Sequence, residues 1–179
     1  MRGRYERGST ITTDDGTEWE ILERLKQEDF QAEKLNPSPP RYATLKLSCI
    51  KANVNPNERL TSEAFARVYV QVPYIGTEFD DPDSRALQAD PTFQPDELDA
   101  YRKLSEHPVV STFTPKLLGS KNSVQKPSGF VPGGFLILVV WERVPGLPLG
   151  DGTGKATGFW DLHLRERRKI RETFEKTFK

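Results

Sequence analysis

The sequence predicts an α+β fold, in which a twisted antiparallel sheet of about five strands carries one covering helix and is followed by C-terminal helices. The first observation is an uninterrupted apolar run at residues 135–141, between a glycine pair and a Pro-Gly break. Such a run is typical of a strand buried on both faces. The second is that two upstream segments have strand composition, and the third is a helical period near the C-terminus.

The apolar run leads directly into a linker. The charged residues Glu142 and Arg143 follow it at once. Pro145 then disfavours a helical conformation at Val144, so the chain must continue as an extended connector. The run itself is too short to cross a membrane as a helix. It therefore predicts a buried strand followed by a linker.

Two upstream segments are expected to be antiparallel partners of this strand. Residues 42–50 alternate between polar and apolar side chains, which predicts one buried and one solvated face. Residues 65–73 are rich in β-branched and aromatic residues, as strands are. Residues 114–119 fit a short strand, and residues 120–129 then fit a flexible turn. Residues 19–30 fit either an amphipathic helix or a strand.

Helix signals occur in two places. Pro95, followed by two acidic residues, begins a short apolar period that Pro108 ends, which predicts a helix across one sheet face. Residues 159–179 carry apolar side chains at a spacing near 3.6 residues and predict the clearest helix of the chain. Residues 74–95 are rich in Asp and Pro and are expected to form a long surface loop. Residues 1–17 are polar and aperiodic, which predicts a disordered tail.

Composition and charge narrow the classes of function. The sequence has 26 basic and 26 acidic residues, so no overall field favours nucleic acid or an acidic membrane as a partner. Cys49 is the only cysteine and cannot form an internal disulfide, which indicates a reducing compartment, the cytoplasm or the nucleus. No apolar stretch follows the charged N-terminus, so we expect neither a signal peptide nor a transmembrane segment.

The apolar run and its flanks resemble the fifth strand, gatekeeper and hinge of a protein kinase. The strand closes on one large residue, Trp141, and the pattern Glu-x-Val with a glycine beyond it follows at residues 142–146. More narrowly, residues 131–146 resemble the protein kinase-like proteins that are abundant in filamentous fungi. The resemblance implies that the run is the last strand of a kinase small lobe.

Shorter segments extend the resemblance from about residue 18 to the C-terminus. Residues 97–104 resemble the lobe-spanning helix with its inward glutamate, residues 114–119 the fourth strand, and residues 159–171 the helices beyond the hinge. The resemblance makes the first half of residues 19–30 a strand. Beyond the disordered tail predicted at 1–17, it implies a small lobe with its hinge at 18–149 and the helical start of a large lobe at 150–179.

The resemblance also implies a nucleotide site. Glu97 would be the helix glutamate, and Gln71 stands where the family has its phosphate-binding lysine. Trp141 would be the gatekeeper, and the hinge would offer the backbone of Val144 to an adenine edge. Two alternatives stay open: Trp141 fills the adenine pocket itself, and Glu97 only complements a helix macrodipole. The candidate nucleotide-binding residues are therefore Gln71, Glu97, Trp141, Glu142 and Val144.

Departures from the family decide the predicted function. Gln71 offers no charge to a phosphate, and no glycine occurs between Trp19 and Ile50 to form a phosphate-binding loop. The His-Arg-Asp and Asp-Phe-Gly motifs have no counterpart before Lys179. No catalytic residue, metal ligand or obligatory cofactor is predicted, and binding of ATP with Mg²⁺ stays open.

We predict a truncated, catalytically inactive protein kinase-like domain, a pseudokinase, that acts as an interaction module. Its expected partner is another protein or a missing large lobe, because a lobe that lacks its neighbour exposes apolar surface. The alternative is an ATP-binding phosphotransferase whose catalytic lobe is missing from this chain.

Overall fold

The computed structural model describes residues 5–33, 41–52, 63–144 and 157–177, and the chain divides into two units, residues 1–143 and 144–179. The first unit is a mixed α+β domain. Its strands are β1 (Thr10–Thr12), β2 (Glu18–Phe30), β3 (Tyr42–Lys51), β4 (Glu63–Gln71), β5 (Leu117–Val124) and β6 (Phe135–Glu142), and its helices are α1 (Pro82–Ala86) and α2 (Asp96–Glu106). The second unit contains α3 (Thr157–Trp160) and α4 (Leu164–Thr177).

The sheet of the first unit is antiparallel, with six strands in the order β1-β2-β3-β4-β6-β5. Its two end strands approach each other just beyond β1, where the Asp14 N–H donates to the Ser120 carbonyl over 2.9 Å. The Asn122 N–H also donates to the Asp14 carboxylate. The α+β prediction is confirmed, with six strands in place of about five, and the sheet curls towards a closed barrel.

The additional strand comes from the predicted tail. The sequence predicts disorder over residues 1–17, whereas β1 pairs with the start of β2 and buries Ile11 in the core. The turn after β1 is fixed locally, because the Thr13 hydroxyl donates to the Asp15 carboxylate and Gly16 adopts a positive φ of 83°. Polar composition misleads here because the neighbouring strand supplies the backbone hydrogen bonds that a short polar segment needs.

Residues 19–30 belong to β2, so the strand that the resemblance implies is confirmed. Trp19 and Ile21 alternate into the core. The side chains of residues 23–27 are all exposed, and the pairing with β3 has two register shifts in this half. β2 thus begins as a core strand and ends as an exposed one.

Both faces of β3 are covered, which differs from the solvated face predicted for residues 42–50. Thr44 and Ser48 are buried. Their cross-strand neighbours on β4 are Tyr69 and Phe65, and a small polar side chain opposite a large ring is shielded from water. The alternation of the sequence is real, but the polar face is buried too.

β6 is the apolar run of the sequence and is buried on both faces, as predicted. Its partners are β4 and β5, so the predicted pairing with residues 65–73 is confirmed, while residues 42–50 pair with β2 and β4 instead. β5 extends to Val124, so the first half of the predicted turn at residues 120–129 is strand. β5 ends the sheet, and an end strand tolerates the polar residues that suggested a turn.

In its described residues, the first unit has two α-helices and a short 3-10 helix at Val110–Thr112, where the sequence predicts one helix. α2 begins at Asp96 and ends before Pro108, as predicted. The short α1 lies inside the predicted surface loop at residues 74–95. Asp81 caps it, because its carboxylate accepts the Ser84 N–H over 2.8 Å.

The helix predicted at residues 159–179 is two helices instead, α3 and α4. His163 separates them, because its Nδ1 accepts the Arg165 N–H at the start of α4. The His163 N–H in turn donates to the Glu166 carboxylate, so both ends of the cap are satisfied. Residues 150–156 of the predicted helical segment lie outside the described residues.

The sheet carries apolar side chains on both faces. One face forms a core that includes Trp19, Ile21, Leu45, Leu47, Val68 and Val140. The other face packs against Leu98 of α2 and includes Tyr69, Phe135, Val139 and Trp141. The residues that the sequence singles out lie mainly on or next to this second face.

Candidate functional site

α2, which carries Glu97, packs on the sheet face that holds Trp141. Residues two apart on a strand share a face, so β4 presents Phe65, Arg67 and Tyr69 on the same side as the α2 core. The helix contributes the fully buried Leu98 and the half-buried ring of Tyr101. Its first turn is thereby held above the middle of β4.

A charged cluster joins α2 to β4. The Glu97 carboxylate pairs with the Arg67 guanidinium, with Oε1 and Nη1 2.7 Å apart, and the two side chains are only 21% and 27% exposed. The Tyr69 hydroxyl donates to the other oxygen of Glu97 over 2.6 Å. A charge pair that is shielded from solvent and further hydrogen-bonded is stronger than a surface pair. The cluster therefore ties the first turn of the helix to the strand.

The surroundings shift the titration of two members of this face. Burial, followed by the hydrogen bond to Glu97, raises the pKa of Tyr69. Tyr69 is therefore a neutral hydrogen-bond donor at neutral pH. Burial, followed by the nearby Arg67, lowers the pKa of Lys46. The face thus carries two adjacent cations, of which Arg67 is already neutralised by Glu97.

Trp141 is enclosed by side chains of the chain itself. It is 6% exposed. The Tyr101 ring stacks on it with 5.6 Å between centroids, and the Phe65 ring lies 6.1 Å away. Lys46 Nζ and Arg67 Cζ lie 5.9 and 5.5 Å from the Trp141 ring centre, within the range of cation–π attraction. The space beside the predicted gatekeeper is therefore filled.

The Gln71 side chain bonds to backbone groups of the loop that follows β4, whereas Glu97 bonds to Arg67 and Tyr69. It is 1% exposed, its amide nitrogen donates to the Gln88 carbonyl over 2.6 Å, and its amide oxygen accepts the Asp90 N–H over 2.9 Å. A Cβ on Gly134 would collide with this amide oxygen. Gln71 is thus a satisfied structural amide.

A second buried glutamine continues this network. The Gln125 side chain donates to the Gln71 carbonyl over 2.9 Å and accepts the Val131 N–H over 3.2 Å. The loop that leads into β6 is thereby fastened to the end of β4. Both amides bond to backbone groups at this end of the sheet and in the loops next to it.

The two remaining candidates lie at and beyond the end of β6. The Glu142 N–H donates to the Lys116 carbonyl over 2.9 Å, and its carboxylate accepts the Lys116 N–H over 3.3 Å. Val144 is exposed. Residues 145–149, which include the end of the predicted hinge, lie outside the described residues. Glu142 therefore anchors the start of β5, a structural role.

An aromatic cleft of about 420 Å³ opens next to α2. Tyr42 lies at its centre, with the rings of Phe30, Tyr69 and Phe93 at centroid distances of 5.0, 5.6 and 5.5 Å. The first residues of α2, among them Asp96, line the other side. The cleft is therefore a group of ring faces and edges with carboxylates at its rim.

Sequence reasoning missed Arg67, Tyr69 and the aromatic cleft. The strand alternation of residues 65–73 already placed Arg67 and Tyr69 on one face. A basic residue inside an otherwise apolar strand needs a partner, and this signal was available from the sequence. The convergence of Phe30, Tyr42 and Phe93 was not, because three separate elements bring them together.

The thiol of the only cysteine of the chain is unreactive at neutral pH. Cys49 is fully buried, and burial raises the pKa of its thiol to about 12, which leaves almost no thiolate at neutral pH. Among the described residues, no three His, Cys, Asp or Glu side chains are grouped to hold a metal ion. None of the helices in the described ranges is long and apolar enough to cross a membrane.

No protein family model matches the chain, and no curated protein matches it. Among solved structures, one similar chain is the structure of vaccinia related kinase 3, with 14% sequence identity and a TM-score of 0.34. The similarity covers 80% of this chain and 32% of that chain. A protein kinase is thus among the structural neighbours, at a similarity too low to carry an argument about fold or activity.

Proposed function

We propose that this chain is a protein kinase-like small lobe that does not use nucleotide and acts as a binding module for another protein or for a large lobe, in the cytoplasm or the nucleus. The element order supports the kinase-like part. From β2 onwards, and apart from the short α1 and the 3-10 helix at Val110–Thr112, three strands, a helix and two strands precede the second unit. This is the order that the sequence resemblance implies.

The packing of Trp141 is the main support for the proposal that nucleotide does not bind. If Trp141 is the gatekeeper, an adenine ring would have to lie beside it. Phe65 and Tyr101 already pack on the Trp141 ring there, and displacing these partly buried rings would cost on the order of 1–3 kcal/mol for the apolar surface exposed to water. Gln71 adds support, because its amide is used by backbone groups and is not available to a phosphate.

An ATP-binding phosphotransferase is the second candidate, and one observation favours it. In protein kinases a lysine on the third strand pairs with a glutamate of the following helix. Here Arg67 of β4 and Glu97 of α2 form a pair of this kind. An arginine in this place would offer a permanent positive charge to phosphates.

Calorimetric titration of the 179-residue chain with ATP and Mg²⁺, together with a thermal melt, tests the proposal. We expect no saturable heat and no rise in melting temperature, because side chains fill the space beside Trp141. For comparison, a nucleotide at 100 times its Kd would add about 2.7 kcal/mol to the free energy of unfolding of a folded binder.

Arginine variants decide between the two candidates if heat is observed. Saturable binding that Arg67→Met abolishes and Arg102→Met leaves unchanged would refute the binding-module proposal and support the phosphotransferase. Arg102 is an exposed arginine of α2 and serves as the matched control. Both variants are compared by circular dichroism, so that unfolding is not mistaken for lost binding.

A further inference from the structure

Among the residues that the structure describes, the outer edge of β2 has no partner strand along most of its length. β1 pairs only with Glu18–Glu20, and the last backbone bonds on this side join Ile21 to Gly8 and Ser9. Within the described residues, no strand pairs with this edge at residues 22–30. An unpaired edge presents a row of N–H and C=O groups that an extended peptide can complete.

The charge of β2 selects what can pair with this edge. Its open part, residues 22–30, carries three acidic and two basic side chains. Lys26 and Glu28 neutralise each other at 2.8 Å, which leaves Glu23 and Asp29 against Arg24, a small acidic excess. Charged side chains on an edge suppress indiscriminate sheet pairing. A segment with basic side chains would instead be attracted, because opposite charges on neighbouring strands stabilise pairing.

The aromatic cleft begins where the open edge ends. Phe30 is the last residue of β2 and is 45% exposed, and its cross-strand neighbour is Tyr42 at the centre of the cleft. Asp96 lies at the rim of the cleft, is exposed, and forms no ion pair among the described residues. Ring faces beside a free carboxylate attract a cation.

A strand added to β2 would lie about 4.8 Å from it. Its alternate side chains would point to the face that holds Phe30 and Tyr42. The long apolar stem of a lysine or arginine can lie across the Phe30 ring and carry its charge towards Tyr42 and Asp96. The open edge and the cleft are thus two parts of one surface.

We propose that β2 binds an extended basic segment of a partner protein as an additional strand, with one cationic side chain over Phe30 and Tyr42 beside Asp96. This inference rests on the proposed role as a binding module and names the chemistry of its partner. The backbone pairing supplies general affinity, and the acidic strand and the cleft supply selectivity for a basic segment.

Fluorescence anisotropy with labelled octapeptides tests the inference on the full chain. The probe alternates lysine and valine, a second peptide alternates glutamate and valine, and a third is the lysine peptide N-methylated at every residue. We expect saturable binding of the first peptide only, and weaker binding at high salt. Equal binding of the glutamate or the N-methylated peptide would overturn the proposal, as would no binding of the lysine peptide at millimolar concentration.

Three variants locate the binding. Phe30→Ala and Asp96→Asn should each weaken the lysine peptide roughly threefold, the size expected when one exposed cation contact is lost. Phe79→Ala is the matched control, because Phe79 is a fully exposed phenylalanine that does not line the cleft. A threefold loss in the control, or none in the other two variants, would contradict the placement.

The same samples separate this inference from the proposed function. If the lysine peptide does not bind and ATP gives no response, the strand-binding inference is overturned and the proposed function is not. Peptide binding together with saturable ATP binding refutes the nucleotide-free proposal and leaves the strand site in place. Self-association of the chain in sedimentation, abolished by Leu25→Lys in β2, would assign the edge to a second copy and overturn the proposal.

Discussion

At the scale of single residues, the amide of Gln71 fastens a loop to the end of β4. Its two partners are the carbonyl of Gln88 and the N–H of Asp90. Gln71→Leu keeps most of the volume but leaves both backbone groups without a partner, and an unsatisfied buried group costs about 1–3 kcal/mol. We expect urea denaturation to show a decrease of that size in the free energy of unfolding.

Two further glutamine variants test this role. Gln27→Leu, in the exposed half of β2, should change the free energy of unfolding by less than about 0.5 kcal/mol. Gln71→Lys supplies the lysine that the sequence resemblance lacks, but it places a charge in a buried site that has no carboxylate partner among its hydrogen bonds. A Gln71→Lys protein as stable as the natural one would contradict the structural role of this amide.

Residue roles were harder to predict than strands. The match to a kinase strand motif put Gln71 in the phosphate-binding place, whereas the structure pairs the helix glutamate with Arg67. The two positions differ by four residues and share a face, so a strand pattern cannot separate them. The partner of Glu97 depends on the position of the first turn of α2 above β4. The packing of Leu98 and Tyr101 determines that position.

At the scale of elements, α2 is held to the sheet partly by groups that titrate. Burial, followed by the nearby Glu97, raises the pKa of Tyr101 to about 12, above its usual 10.0, and burial raises that of Tyr69 as well. A raised pKa in the folded state gives stability that is complete below the unfolded pKa of about 10 and is lost as pH rises through the folded value.

We therefore expect the free energy of unfolding to fall between about pH 10 and pH 12, measured by urea denaturation at successive pH values. Tyr101→Phe removes one titrating group and should make the decline shallower. Lys46 has a lowered pKa and therefore makes the free energy of unfolding rise with pH. This contribution is present in both proteins and cancels when they are compared. Identical slopes for the two proteins would refute the raised pKa of Tyr101.

Strands and helices could be predicted from the sequence where their residue pattern reflects burial. They could not be predicted where pairing with a neighbouring strand decides the structure. β6 and β4 follow from apolar and β-branched composition, and α2 follows from its start and stop signals. β1 and the second half of β5 are polar. They are strands because neighbours complete their hydrogen bonds, and a single sequence does not display its neighbours.

At the scale of the whole molecule, the buried apolar clusters belong to one unit. All residues of the three clusters lie between Tyr5 and Trp141, within the first unit. A chain shortened after Arg143 therefore keeps its complete apolar cores and should unfold cooperatively on heating.

Tryptophan fluorescence gives this shortened chain a second, independent readout. Trp19 and Trp141 are 4% and 6% exposed, whereas Trp160 of α3 is 57% exposed. Removing Trp160 leaves only buried indoles, so the emission maximum should shift to shorter wavelength, and Trp160→Phe in the full chain should give the same shift. Emission at longer wavelength without a cooperative transition would mean that the first unit needs residues 144–179 to fold, because its indoles would then be in water.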